Sequence, residues 1–189
     1  MTCIAALVEN GVITMGGDSA GVAGYQLHVR SDPKVFRNGD FLIGCTSSFR
    51  MTQVLRFQVK PPEHPRKHDD GSWLDAYEYM VRYFIEECRK EFKDHGSMRI
   101  ENNEEEGGCF LVGYRGRLFY VDSDFQVGEL HDPFAAVGCG MDVAHGALYA
   151  LQGSDLEPEA KVLKALEAAE RFSAGVRRPF VVERLEARP

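Results

Sequence analysis

The sequence has no apolar run approaching the roughly 20 residues that span a bilayer, and no basic segment leads into an apolar stretch at its N-terminus. A membrane-spanning helix and a secretory leader are therefore excluded, and the expected location is the cytoplasm. It also lacks any Cys-x-x-Cys pair: Cys3, Cys45, Cys88, Cys109 and Cys139 are odd in number and widely spread. That distribution fits neither a disulfide framework nor a zinc site, and points to reduced, mostly buried thiols. No HExxH motif joins His28, His64, His68, His95, His131 and His145, which fall mostly in predicted loops, so neither a metal nor a cofactor is expected. The glycine-rich stretch 16–21 lacks the lysine of a phosphate-cradling GxxxxGK[ST] loop. Basic residues such as Arg30, Lys34, Arg37 and Arg50 are scattered through a chain of net charge −7. No stripe exists to follow a phosphate backbone, and nucleic acid is not an expected partner.

What is present is an ordinary globular composition, 44% hydrophobic and 27% charged, over 189 residues that suit one core and one domain. Residues 3–8 are almost all apolar, Glu9-Asn10-Gly11 supplies turn chemistry and 12–15 resumes the apolar run, which predicts a hairpin beginning almost at residue 1. A chain that starts with a buried strand holds its first residues in a fixed place, unlike the frayed termini of most proteins. A glycine-rich loop is predicted at 16–21. A second hairpin runs from Lys34-Val35-Phe36 round Asn38-Gly39 into Phe41-Leu42-Ile43-Gly44, making four strands in the first quarter. Trp73, Leu74, Tyr77, Met80, Val81, Phe84, Ile85 and Cys88 recur at helical spacing, with Ser72 and Asp75 placed as a capping pair and an end near 94–96. Segments 61–70 and 101–108 read as surface loops. A further hairpin is expected at 109–112 and 118–121, short strands at 125–127 and 135–137, helices at 142–151 and 158–173, and a closing strand at 180–185. This order of elements favours an α+β fold, two antiparallel sheets face to face and covered by helices.

Thr2 follows Met1, and a small second side chain permits removal of an initiator methionine. A free N-terminal threonine holds a hydroxyl nucleophile and an amine base in one residue, so no histidine is required. The amine is a base only while neutral. A nearby cation lowers its proton affinity, and a carboxylate can hold that cation in place. Asp18, where a strand runs into the glycine-rich loop, and Lys34, opening another strand, stand where side chains converge on the start of a neighbouring strand. The residues alone leave open a plainer role for the two as a surface ion pair. Cys3 and Cys45 are set aside as nucleophiles because thiols inside apolar strands are commonly inert packing; Cys3 is instead a candidate for a pocket wall.

Thr2-Cys3-Ile4-Ala5-Ala6-Leu7-Val8 with Asn10-Gly11-Val12, the block Gly16-Gly17-Asp18-Ser19-Ala20, and Lys34-Val35-Phe36 follow one another in an order and spacing that resemble the proteasome β-subunit family, including the bacterial HslV peptidase. The resemblance runs over most of the chain. It implies a four-layer αββα sandwich of the N-terminal nucleophile hydrolase type, with Thr2 as nucleophile and base, Lys34 as its electrostatic partner and Asp18 orienting Lys34. The run from Phe41 to Ser48 is similar to the strand leading into the family's oxyanion turn, which assigns the donating backbone N–H to Ser48. Gly138-Cys139-Gly140 is similar to a Gly-Ser-Gly turn whose serine hydroxyl lies near the threonine amine; here a thiol, the weaker donor and acceptor, takes that place. Near the last helix the family's supporting aspartate and serine give way to Phe172, with Ser173 and Gly175 close by.

The resemblance further implies a homo-oligomeric, stacked ring enclosing Thr2, unfolded polypeptides as substrates and an ATP-driven unfoldase as partner. With only Met1 ahead of Thr2, the chain looks closer to HslV than to β-subunits that cleave off a leader. Two readings of other classes stand beside this one: a catalytically silent ring or scaffold protein, and a stand-alone amidase of a small molecule. Pocket walls are expected from loops at 20–30 and 45–49.

Overall fold

Residues 1–67 and 70–187 are described by the structure, a computed structural model; His68 and Asp69 of the predicted loop 61–70 lie outside the described residues. Strand β1 (Cys3–Glu9) turns through Asn10 and Gly11, both at positive φ, into β2 (Val12–Gly17). That is the backbone a two-residue hairpin turn demands, and Asn-Gly is the pair best suited to it. β1 and β2 sit at the centre of a four-stranded sheet in the order β12 (Phe134–Gly138), β1, β2, β13 (Val181–Glu186). A five-stranded sheet runs β11 (Val127–Glu129), β10 (Arg117–Val121), β9 (Phe110–Tyr114), β6 (Phe41–Cys45), β5 (Val35–Asn38). All of these pairings are antiparallel.

The two-residue period of β1 explains the layering. Cys3, Ala5 and Leu7 face α4 (Met141–Ala150) and α5 (Pro158–Phe172), packing with Ala144, Leu148, Val162, Leu166 and Ala169. Ile4 and Ala6 face the other way, onto Leu42, Leu111 and Leu118 of the second sheet. The far side of that sheet, with Phe41, Ile43, Phe110 and Phe119, is covered by Met51 and Leu55 of α1 (Phe49–Phe57) and by Met80, Phe84, Cys88 and Phe92. The last four lie on one continuous helix made of α2 (Ala76–Tyr79), a π turn at Met80–Phe84 and α3 (Ile85–Asp94). Three apolar clusters between four layers make the αββα sandwich expected from the resemblance.

Several local expectations are corrected. Residues 20–30 form a hairpin, β3 (Ala20–Ala23) and β4 (Gln26–Val29), rather than a loop; β4 is exposed throughout and so has no buried face to produce an alternating pattern. The acidic segment 101–108 contains β8 (Glu104–Glu106), paired with β7 (Arg99–Glu101) across Asn102 and Asn103 at positive φ. Asp75 alone caps α2, accepting from Tyr77 and Glu78 N–H, while the Ser72 N–H bonds to Asp70. Tyr77 and Val81 are exposed, not part of the core face. Phe125 stands at positive φ with its ring near that of Phe92, which delays the predicted strand to Val127. Helix α1 was not anticipated.

Candidate active site

Asp18 follows directly on β2 and ties four segments together. Its Oδ1 accepts from the Cys3 N–H at 2.9 Å and from Lys34 Nζ at 2.8 Å. Its Oδ2 accepts from the Ala20 N–H at 2.9 Å and the Arg177 N–H at 3.2 Å. Asp18 is 2% and Lys34 3% exposed, so the pair is interior, unlike the surface pair that the residues alone allowed. A buried charge is tolerable when paired and hydrogen-bonded, and here both conditions are met for the carboxylate.

Thr2 lies in front of this pair, 5% exposed. Its Oγ1 donates to the Met1 carbonyl oxygen at 2.6 Å, and Lys34 Nζ reaches the same oxygen at 3.4 Å. The Thr2 N–H, a peptide nitrogen while Met1 is attached, donates to Cys139 Sγ at 3.3 Å. The turn after β12 wraps closely around the residue: Gly140 N–H reaches the Thr2 carbonyl at 3.4 Å, and Gly138 stands at φ +98°, where a Cβ would lie 2.3 Å from that same oxygen. Only glycine fits there, on both counts. Behind Cys139, its sulfur is 3.5 Å from the Oγ of Ser173, the residue ending α5.

Thr2, Lys34 and Ser48 share the lining of one small cleft with Cys45, Thr46 and Phe49. Ser48 caps α1, its hydroxyl accepting from the Arg50 N–H at 3.1 Å and the Met51 N–H at 3.5 Å. The Ser48 N–H bonds to the Thr46 carbonyl at 2.7 Å, a tight contact made by Ser47 standing at φ +59°. Of the five predicted residues, Asp18 touches Lys34 and Thr2 touches Cys139; the Met1 carbonyl links the two pairs, and Ser48 faces them across the cleft. Cys45 lines the cleft, whereas Cys3 is fully buried on the helix side of β1.

Burial lowers the proton affinity of Lys34, against the opposing pull of Asp18. Burial also drives the thiols upward: Cys3 is pushed up to about 12, helped by Asp18 and Cys139, and Cys45 to about 12. Both are protonated at neutral pH and poor nucleophiles. The sequence reading missed Arg177, whose contribution is a backbone N–H and leaves no side-chain signature. A larger cleft of ≈ 610 Å³ lined by Glu170, Arg171, Arg177 and Arg178 meets this site at Ser173 and at Arg177, whose N–H bonds to Asp18.

No model of a known protein family matches the sequence, and no curated protein sequence matches it. Solved structures do resemble it. BPH of Thiobacillus denitrificans, known free and in complex with epoxomicin, is 21% identical across 100% of both chains with a TM-score of 0.79. HslV of Trypanosoma brucei is 18% identical, covering 98% of this chain and 99% of that one, with a TM-score of 0.66. A Gly-1 mutant of Anbu from Hyphomicrobium sp. strain MC1 is 17% identical, covering 97% and 82%, also at 0.66. The fold of HslV, Anbu and BPH is thus this chain's fold along nearly its whole length.

Proposed function

We propose, for a chain with the proteasome-like fold, that it is a threonine-nucleophile amide hydrolase cleaving peptide bonds once Met1 has been removed. The observation that carries the proposal is the placement of the interior Lys34–Asp18 pair directly behind the Met1–Thr2 bond, with Thr2 Oγ1 and Lys34 Nζ converging on one carbonyl oxygen. Loss of Met1 turns the Thr2 nitrogen into a primary amine beside Cys139. The Lys34 ammonium disfavours a second positive charge on that amine, which keeps it neutral and able to take the hydroxyl proton. Oγ1 then attacks the scissile carbonyl, the amine passes its proton to the leaving nitrogen as the C–N bond breaks, and water hydrolyses the resulting ester. The Ser48 N–H is the proposed oxyanion donor, and such a donor is worth about 10²–10³ in kcat. To serve, it must exchange Thr46 for the substrate oxygen.

The domain is proposed as a single unit that assembles into a stacked homo-oligomeric ring in the cytoplasm, fed with unfolded polypeptide by an ATP-driven unfoldase. In support of assembly, the β3–β4 hairpin, anchored in the body of the protein at Ala20, presents Tyr25, Leu27 and Val29 to solvent, and an exposed apolar patch of that kind marks a protein contact. No helix among the described residues is long and apolar enough to cross a membrane. The silent-scaffold reading is favoured by one observation, the engagement of the Ser48 N–H with Thr46. Hydrolysis of fluorogenic peptides by Met1-free protein, sized by sedimentation, separates the readings. Turnover that disappears in Thr2→Ala supports the peptidase. Assembly without turnover supports the scaffold, and a small species inert to peptides supports a small-molecule amidase.

A further inference from the structure

A wide opening lies on the nitrogen side of Thr2. Cys139 Sγ accepts from the Thr2 N–H at 3.3 Å and stands 3.5 Å from Ser173 Oγ, and Ser173 lines the ≈ 610 Å³ cleft at the end of α5. The cleft therefore begins two contacts away from the Thr2 nitrogen. Gly175 lies beneath this path and is covered by Met1: a Cβ on this glycine would come 2.5 Å from Met1 Cβ and 2.8 Å from Cys139 Sγ. Removal of Met1 clears that surface.

The proposed chemistry fixes which half of a substrate points this way. The Thr2 amine hands its proton to the leaving nitrogen, so that nitrogen must come within hydrogen-bond reach of it. The Ser48 N–H, proposed to hold the oxyanion, lies apart from the large cleft, in the narrow one with Thr46 and Phe49. The chain that follows the scissile bond is thereby placed on the Cys139 side and leads toward Ser173. An extended chain advances ~3.3–3.6 Å per residue, so about two residues carry it to the cleft.

The charges that line the cleft are unbalanced. Arg178 is engaged: its Nε donates to Glu170 Oε2 at 2.8 Å, and its Nη2 lies 3.9 Å from Glu167 Oε1. Arg171, in the last turn of α5, and Arg177 have no ion-paired carboxylate among the described residues. Arg177 Nη1 reaches only the carbonyl of its neighbour Val176, at 3.4 Å, and Glu170 feels the Arg177 charge without bonding to it. Three guanidiniums thus stand against two carboxylates, in a chain whose net charge is −7. We propose that Arg171 and Arg177 form a subsite for an acidic side chain, Glu or Asp, carried one to three residues after the scissile bond. A guanidinium holds a carboxylate through two parallel charge-assisted bonds, whereas a glutamine amide offers a single, uncharged acceptor. The proposal rests on Thr2 being the nucleophile.

The test uses Met1-free protein and internally quenched, C-terminally amidated peptides of one sequence, with Glu, Gln or Lys at the first, second or third position after the cleaved bond. Product masses fix the bond that is cut. Wild type is expected to show kcat/KM at least about threefold higher for Glu than for Gln at one of these positions, the scale of a partly exposed charge pair, with Lys poorer still. The ratio is expected to fall to about one in Arg171→Gln/Arg177→Gln and to shrink in about 0.5 M salt, which screens such pairs. Because each ratio is taken within one preparation, loss of folded enzyme cancels; Arg171→Gln alone, on the helix surface, serves if the double variant does not fold, and is expected to fall between it and wild type. Labelling with a peptidyl epoxyketone, which has no leaving half, is followed in parallel. A wild type that labels but cleaves Glu peptides no faster than Gln peptides, that prefers acid only before the bond, or whose ratio survives in the arginine variants overturns the subsite and leaves Thr2 as nucleophile. A wild type that neither labels nor cleaves overturns the nucleophile assignment and the subsite with it.

Discussion

Asp18→Ala removes the one group that accepts from Lys34, Cys3, Ala20 and Arg177 together. Stranding a buried cation costs ~3–5 kcal/mol, and each backbone N–H left without a partner adds ~1–3 kcal/mol unless water enters. Since water can occupy part of the space left by the carboxylate, the expected loss is at least about 4 kcal/mol, a large share of the ~5–15 kcal/mol that holds most domains together. Lys34→Met is the informative partner. It leaves Asp18 with three backbone N–H donors, so the remaining charge is still compensated and the loss stays near ~2 kcal/mol or below. Urea denaturation of the two variants and wild type, at one protein concentration and with unchanged m-values, measures both. The reasoning fails if Asp18→Ala lies within about 1 kcal/mol of wild type, or if Lys34→Met costs as much as Asp18→Ala.

The depressed proton affinity of Lys34, caused first by burial, sets an alkaline limit. As pH rises, peptide hydrolysis is expected to fall off before pH 10.5, the ordinary lysine value, is reached, because the ammonium is lost early, and stability to rise over the same window because the unfolded chain keeps the proton longer; a pH–rate profile flat up to 10.5 contradicts this. Cys139→Ser puts a stronger hydrogen-bonding group beside the Thr2 nitrogen, so labelling should quicken about 2- to 10-fold while Cys139→Ala slows it, as second-order rate constants with one inhibitor would show. His64 is buried between Tyr114 and the Leu74 carbonyl, each at 2.8 Å; the carbonyl only accepts, so Nε2 carries the proton and Nδ1 accepts from the tyrosine. Burial holds its affinity below the ordinary 6.5, so its contribution to stability is complete above pH 6.5 and is lost as pH falls through the folded value. Denaturation midpoints across that range should drop in wild type and flatten in His64→Gln, and equal slopes would contradict the assignment.

The sandwich was legible where a segment buries apolar surface. β1 is buried on both faces, toward α4 and α5 on one side and the second sheet on the other, which leaves a continuous apolar run, and α5 repeats Val162, Leu166 and Ala169 at helical spacing, so both were read within a residue or two. β4 and β8 escaped because they bury little or nothing, and a strand without an inner face has the same composition as a loop. The order of Thr2, Asp18 and Lys34 was visible because these roles need particular side chains. The support of Asp18 by the Arg177 N–H and the capture of the Ser48 N–H by Thr46 were not, since any residue offers a backbone amide and only the folded turn decides where it points. The stacking of the Arg30 guanidinium on the Phe49 ring, 3.8 Å from its centroid, depends on the β3–β4 hairpin returning its chain end to α1, a contact with no local signature.

The proposed peptidase activity turns on whether Thr2 becomes a free and reactive N-terminus. Intact mass of the purified protein before and after exposure to a threonine-directed epoxyketone, with Thr2→Ala treated in parallel, tests that directly. The account predicts a mass lacking Met1 and the gain of one inhibitor, absent from the control. Retention of Met1, or a processed chain that takes up no inhibitor, would contradict it and leave the fold as scaffold alone.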